Sequence, residues 1–330
     1  MNGFFIKQHG PVRGRLTQPR PESGVCVDLH QHLCQGLGGV FTEQTGHAVL
    51  NEVRIAPDFG TDNGHSAAHG FHFFTGAPIQ NWLLFYPPER LLAPVTDVLI
   101  TINREDYARA CKRLPAKRIE YVPGVGICTE KFRNLTVDRQ EKRRELGFGE
   151  EDFLILTVAE MTPNKNHITV LRALAGLKDR EEFRHIHYLI CGRGEMWASL
   201  EQSAKELCIS DHVHFLGYRS DAPELYRVCD LFAFMTFREG LSVALMEAMS
   251  SGMPIVCTKI RGNTDLIEDG VSGLFCENTP EALAQMLLKV YAAPALRERL
   301  GQAASERAVL FDEKTVHQQM KKIYFSEGET

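Results

Sequence analysis

A chain of 330 residues, 44% hydrophobic and 24% charged, is long enough for two cores and unlike a disordered, collagen-like or coiled-coil protein. Its formal net charge of −5, with Lys and Arg spread along the chain, leaves no footprint for general nucleic-acid binding, and no apolar run is long enough to span a bilayer. The nine cysteines are scattered and no cleavable signal pattern accompanies them, so reduced thiols in a cytoplasmic protein are expected.

In chain order, residues 1–66 carry a single lysine, Lys7, with frequent Gly, Gln and His and no run of buried-strand character. A new grammar starts near residue 67. A helical pattern from Asn81 to Leu92 is expected to be interrupted at Pro87 and Pro88, followed by a strand at Asp97 to Ile102, a helix at Arg104 to Arg113 and a strand at Arg118 to Val122. The charged stretch Asp138 to Glu151 reads as an interdomain connection with a short helix. From Phe153 onward, apolar runs of strand length alternate with amphipathic stretches, the signature of beta-alpha units around a buried parallel sheet. Strands are expected at Phe153 to Ala159, His187 to Cys191, His212 to Leu216, Leu231 to Thr236, Pro254 to Thr258 and Gly273 to Cys276. The intervening helices fall at His167 to Leu177, Glu195 to Cys208, Leu241 to Ser251, Pro280 to Tyr291 and Ala295 to Glu306, with a last amphipathic helix at Glu313 to Tyr324.

The strongest chemical signal is Phe237-Arg238-Glu239-Gly240-Leu241-Ser242-Val243 leading into Glu247. It follows a strand and opens a helix. Gly240 lets backbone approach a ligand, and the N–H groups of Leu241, Ser242 and Val243 at a helix terminus attract phosphate. Glu239 before the helix and Glu247 two turns inside it suit a sugar and a ribose diol, although an isolated pair at this spacing is more often a cap and a solvated charge.

The pair is not isolated. Glu239-x7-Glu247, then Ser251-Gly252-Met253-Pro254 and Arg261-Gly262-Asn263-Thr264-Asp265, together with His69-Gly70-Phe71-His72-Phe73-Phe74, Tyr121-Val122-Pro123-Gly124 and Asn164-Lys165-Asn166-His167, resembles the family 4 GT-B glycosyltransferases of capsular and exopolysaccharide synthesis over residues 67 to about 325. The resemblance implies an α/β GT-B fold of two Rossmann-like domains facing a cleft. Residues 67–137 would form a partial N-terminal acceptor domain, 138–310 the donor domain, and 311–330 a helix returning toward the N-terminal domain. It further implies a hexosyltransferase that moves a sugar, with retention, from a nucleotide diphosphate sugar, UDP foremost, to a lipid-linked saccharide. No metal would be obligatory, and the enzyme would be peripheral at the inner face of a bacterial membrane.

The same resemblance assigns Glu239 to the donor sugar, Glu247 to the ribose, Lys165 to the diphosphate and His69 to the reacting sugar, with Gly240, Leu241 and Ser242 at the phosphates and Tyr218 and Arg219 beside the nucleobase. Phe71, Phe73, Phe74, Trp82 and Phe85 suit an acceptor groove, a membrane surface or ordinary core packing. Gly192-Arg193-Gly194 resembles a phosphate loop by eye, but a lone Gly-x-Gly at a strand end is a weak signal and reads as a tight turn.

Two departures stand out. Glu160 occupies the place where many members put a second phosphate-binding arginine, so phosphate affinity would rest on Lys165 and the helix terminus. Residues 1–66 match nothing of the family, leaving the N-terminal domain incomplete, and we expect them to be poorly ordered or non-native. A one-base shift of frame over Leu50 to Ser66 permits a basic helix, a turn and a strand, as an out-of-frame segment would. Within this stretch Cys26, His30, His32 and Cys34 are zinc-type ligands at a spacing unlike the usual fingers, and no metal site is assigned. The competing readings are a degenerate homologue that binds nucleotide sugar without turnover and a metal-binding interaction protein.

Overall fold

The computed structural model describes residues 65–325, apart from residues 69 and 125. The expectations for residues 1–64, including the frame shift and the Cys26 to Cys34 cluster, lie outside the described residues, as does His69.

Two parallel sheets organise the chain. The smaller holds β1 (His65–Ala68), β2 (Val98–Thr101) and β3 (Arg118–Tyr121) in the order β1-β2-β3, with His65 opposite Val98 and Val98 opposite Arg118. β1 begins inside the stretch that carries no run of buried-strand character. His-Ser-Ala-Ala has none of the branched or aromatic residues that mark a strand, so its pairing with the buried run Val98–Thr101 decides its conformation.

Helix α1 (Ile79–Leu92) runs straight through Pro87 and Pro88, contrary to expectation. Each proline deletes one backbone bond. Compensation comes from outside the helix: Trp82, Phe85 and Tyr86 pack on the buried cluster of Phe71, Phe73, Leu99 and Leu114, and Arg90 bonds the carbonyl of Arg113 at 2.9 Å. Phe71 and Phe73 are thus core residues. Helix α2 (Arg104–Arg113) is capped by Asn103, whose side chain accepts from the Asp106 N–H.

After the short helix α3 (Thr129–Arg133), α4 (Arg139–Glu145) is the short helix expected within Asp138 to Glu151. It is docked on the larger sheet's shell. Lys142 is buried among Asp221, Glu224 and Glu145 at 2.8–3.1 Å, and Arg143 is buried against the Val228 carbonyl and the Asp230 carboxylate.

The larger sheet comprises β4 (Phe153–Val158), β5 (Ile186–Cys191), β6 (Val213–Gly217), β7 (Leu231–Phe234), β8 (Ile255–Thr258) and β9 (Leu274–Cys276), each within two residues of its expected bounds. Their order is β6-β5-β4-β7-β8-β9. Alternate residues face opposite layers. Ile155, Tyr188 and Ile190 pack toward α5 (His167–Ala175) and α10 (Pro280–Tyr291), whereas Leu154, Leu156, Leu189 and Phe232 pack toward α7 (Ala222–Val228), α8 (Val243–Ser250) and α11 (Pro294–Ala308). α6 (Trp197–Glu206) completes the first layer, and the one-turn helix α9 (Asn263–Leu266) follows β8. α7 had no sequence counterpart because two turns are too short to show a period. The last helix, α12 (Glu313–Phe325), lays Val316 and Ile323 on Val98, Ile100 and Val122 of the smaller sheet.

Because β4 is flanked by β5 on one side and β7 on the other, connections leave these two central strands in opposite directions. The crevice outside their carboxyl ends is the usual ligand position in such sheets.

Candidate active site

The loops that leave β4 and β7 meet at that crevice. Phe237 N–H bonds the Asn164 carbonyl at 2.9 Å, and Asn164 Nδ2 bonds the Arg238 carbonyl at 3.0 Å. Asn166, in the left-handed region at φ 52°, reaches Met235 O at 3.2 Å and Asn278 Oδ1 at 2.7 Å. The Thr258 hydroxyl donates to Thr236 O at 2.7 Å, which ties in the end of β8. Thus the backbone of residues 164–166 is fixed against that of 235–238 before any ligand arrives.

On this base Lys165 Nζ lies 2.6 Å from Glu239 Oε1 and 5.3 Å above the Phe234 ring. The carboxylate side chain is 11% exposed and the lysine 22%, so the pair is half-sunk in the crevice floor. Glu160 is exposed. Its carbonyl accepts from His167 Nε2 at 3.1 Å, while His167 Nδ1 faces the Tyr188 hydroxyl at 2.9 Å. Burial pushes the His167 imidazole down to about 4, with the Glu160 bond opposing and Lys165 adding to the depression. A neutral histidine therefore props the loop that carries Lys165.

The phosphate-type helix terminus begins two residues later than expected. Ser242, extended at φ −83° and ψ 119°, is the cap of α8, and its Oγ accepts from Leu245 N–H at 3.3 Å. Ser242 favours this because its hydroxyl competes for backbone bonds at a terminus. Among the first-turn N–H groups that of Leu245 is taken by the cap, which leaves those of Val243 and Ala244 without an intrahelical partner. Leu241 serves otherwise. A Cβ on Gly124 would stand 2.5 Å from Leu241 Cδ2, so the Pro123–Gly124 turn below β3 rests on the Leu241 side chain. Gly240 is crowded too: a Cβ on Gly262 would meet the Gly240 carbonyl oxygen at 2.5 Å, and one on Gly70 would lie 3.5 Å from Gly240 Cα.

Deeper in α8, Glu247 Oε2 accepts from the Tyr226 hydroxyl at 2.9 Å. Tyr226, on α7, is 1% exposed between Phe132 and Phe232; burial, then the Glu247 charge, pushes its hydroxyl well above its ordinary range, so it remains a donor. Tyr226 was missed because it sits 21 residues from its partner on a helix too short to register. Tyr218 is 78% exposed, and Arg219 is engaged by Asp221 at 2.5 and 2.7 Å. Gly192 and Gly194 are explained by packing: a Cβ would lie 2.0 Å from Ala159 O and 2.4 Å from Met161 O respectively. Among the described residues no group of three or more His, Cys, Asp or Glu is arranged to hold a metal ion, and the described cysteines form no disulfide.

Residues 138–307 match the model of the glycosyl transferases group 1 family. The chain belongs to this family. It is 38% identical over 261 residues to the protein of Bacillus subtilis named glycosyltransferase EpsD, covering 78% of this chain and 68% of that one. It is 26% identical over 226 residues to the Escherichia coli UDP-Gal:alpha-D-GlcNAc-diphosphoundecaprenol alpha-1,3-galactosyltransferase, covering 67% of this chain and 58% of that protein's length. Among solved structures, Anabaena Alr3699/HepE in complex with UDP-glucose superposes with a TM-score of 0.70 at 21% identity over 79% of this chain and 72% of that one. The fold is that of the GT-B glycosyltransferases, and the group 1 domain spans the β4–β7 crevice with Lys165, Glu239 and Glu247 inside it.

Proposed function

We propose that this group 1 glycosyltransferase moves a sugar, with retention at the anomeric carbon, from a UDP-sugar to a lipid-linked saccharide acceptor in surface polysaccharide synthesis. The observation that carries the reading is the Lys165–Glu239 pair at the carboxyl ends of β4 and β7, next to the start of α8. The names of relatives add the substrate classes: one acts on a diphosphoundecaprenol-linked sugar, and HepE was solved with UDP-glucose.

In this reading Glu239 holds the Lys165 ammonium in place until the donor diphosphate arrives and shares it. The carboxylate then turns to the sugar hydroxyls, and Lys165 offsets the charge that grows on the leaving UDP. The first-turn N–H groups of α8 add donors to the same oxygens. Glu247, aimed by Tyr226, bonds the ribose hydroxyls, while Tyr218 and Arg219 border the base. The sequence resemblance also assigns His69 to the reacting sugar. No side chain is given the role of general base; the departing phosphate takes the acceptor proton. The chemistry needs no resident metal in this scheme, and membrane contact is peripheral. Among the described residues no helix is long and apolar enough to cross a membrane.

The experiment is a transfer assay with a panel of UDP- and GDP-sugars and synthetic polyprenyl-diphosphate saccharides, the product's anomeric configuration being read by NMR. UDP-sugar turnover with retention supports the proposal. Inversion, or a strict GDP requirement, sinks it. Binding without transfer to any acceptor moves the chain to the degenerate-homologue reading.

A further inference from the structure

We propose that the buried Asp106–Arg261 ion pair is a positioning device that holds the Gly70–Phe71 turn, on the smaller-sheet side of the cleft, in register with Gly240 beside Glu239. The inference rests on the transfer reading above and goes beyond it.

Asp106 is fully buried and its two carboxylate oxygens point in different directions. Oδ2 serves its own side, accepting from Phe71 N–H at 3.0 Å and from Asn103 Nδ2 at 2.8 Å. Oδ1 serves the other side, accepting from Arg261 Nη1 at 2.7 Å across 155 residues of sequence. The Arg261 side chain is 7% exposed, its guanidinium lies 4.6 Å over the Phe74 ring, and its Nε is buried without a hydrogen-bond partner. The head group is therefore located by Asp106 and Phe74, both on the far side of the cleft from its own backbone. The consequence falls on the site. A Cβ on Gly70, whose φ of +145° suits glycine, would lie 3.4 Å from Arg261 Nη2 and 3.5 Å from Gly240 Cα. Arg261 is followed by Gly262, which packs on the Gly240 carbonyl and the Glu239 Cβ. One carboxylate thus connects the 70–74 turn, the start of α2 and the 261–262 loop that buttresses Glu239.

The molecule contains its own control. Glu105, the neighbour of Asp106, accepts from Thr75 N–H at 3.0 Å and pairs with Arg109, so it ties down the same segment and bears on Arg261 through its charge alone. If register across the cleft matters, Asp106 and Arg261 control turnover and Glu105 does not. A displacement of about 1 Å between reacting groups costs on the order of a hundredfold in rate.

The test uses the full chain with the donor that supports transfer, in Asp106→Asn, Arg261→Met, Arg261→Lys and Glu105→Gln. We expect kcat to fall about ten- to a hundredfold in the first two with donor KM within about threefold, partial recovery in Arg261→Lys, and Glu105→Gln within about threefold of wild type. Hydrogen exchange is measured in parallel without ligand. Peptides covering 71–75 and 259–263 should lose protection together in Asp106→Asn and Arg261→Met, whereas Glu105→Gln should affect only 71–75. Should Arg261→Met fail to fold, Arg261→Lys carries the same comparison. Unchanged kcat in Asp106→Asn and Arg261→Met, a rise in donor KM at constant kcat, or exchange changes confined to one side would overturn the proposal. A wild-type chain without transfer would refute the functional reading, and the exchange arm would still decide whether the pair couples the two sides.

Discussion

The two sides of the cleft are held in place by different means. On the larger-sheet side, residues 160–166 and 235–240 are stitched by backbone carbonyls, a capping serine and a buried histidine, so the backbone that carries Lys165 and Glu239 has several independent supports. On the smaller-sheet side, the 70–75 segment hangs from the first turn of α2 by two carboxylates, and one of these also carries a link across, beside the bond from Arg104 N–H to Asp265. Redundant support suits a binding surface that must be formed before its ligand arrives; a few discrete ties suit a partner surface that has to meet it.

The sharpest way to break this comparison is to remove chemistry without touching the scaffold. Glu239→Ala should lower transfer at least about a thousandfold, the scale of losing a preorganised electrostatic contact, with thermal unfolding within about 2 °C of wild type. A large drop in unfolding temperature would mean that Glu239 acts through the fold. The scaffold itself is attacked by Gly192→Ala, whose Cβ would collide with Ala159 O. We expect a loss of about 3 kcal/mol in chemical denaturation, concentrated on the larger-sheet side.

Acid offers a graded version of the same attack. His167 titrates near 4 in the fold because it is buried, against about 6.5 when unfolded. The folded value is depressed, so the unfolded chain takes up the proton first, and stability present above pH 6.5 is lost as pH falls toward 4. Burial also lowers His187 and brings His214 down to about 4, beside Asp152, His185 and His212, which gives the amino ends of β5 and β6 the same sign of dependence. Full protonation at His167 costs on the order of 3 kcal/mol. His167→Gln should flatten the unfolding free energy measured between pH 6.5 and 4; an unaltered slope would remove His167 as the cause. The smallest expected effect is Tyr226→Phe, which removes the hydroxyl that donates to Glu247 Oε2 and should weaken UDP binding three- to tenfold, with no such loss for 2′,3′-dideoxy-UDP. Equal losses for both ligands would contradict the ribose assignment of Glu247.

Legibility in the sequence followed what each element depends on. The strands from β4 to β9 are written in runs of branched and aromatic residues, which a fully buried parallel sheet requires, so they could be read within two residues. β1, made of His65–Ala68, depends on its neighbour β2, and α1 keeps its two prolines only because Phe73 and Arg113 hold it from outside. In the site, Glu239, Lys165 and Glu247 carry a local spacing and could be found. Asp106, Arg261 and Tyr226 act through partners 155 and 21 residues away, and their local surroundings, an α2 first turn, a loop after β8 and a two-turn helix, hold no sign of those partners.

The most direct test of the account is a calorimetric titration of the purified full chain with UDP, repeated on Lys165→Ala and Glu247→Ala. The account predicts saturable one-to-one binding that weakens at least about tenfold in each variant while both stay folded. Binding unaffected by either substitution, or none at all by a folded wild-type chain, would contradict the placement of the nucleotide diphosphate at the carboxyl ends of β4 and β7.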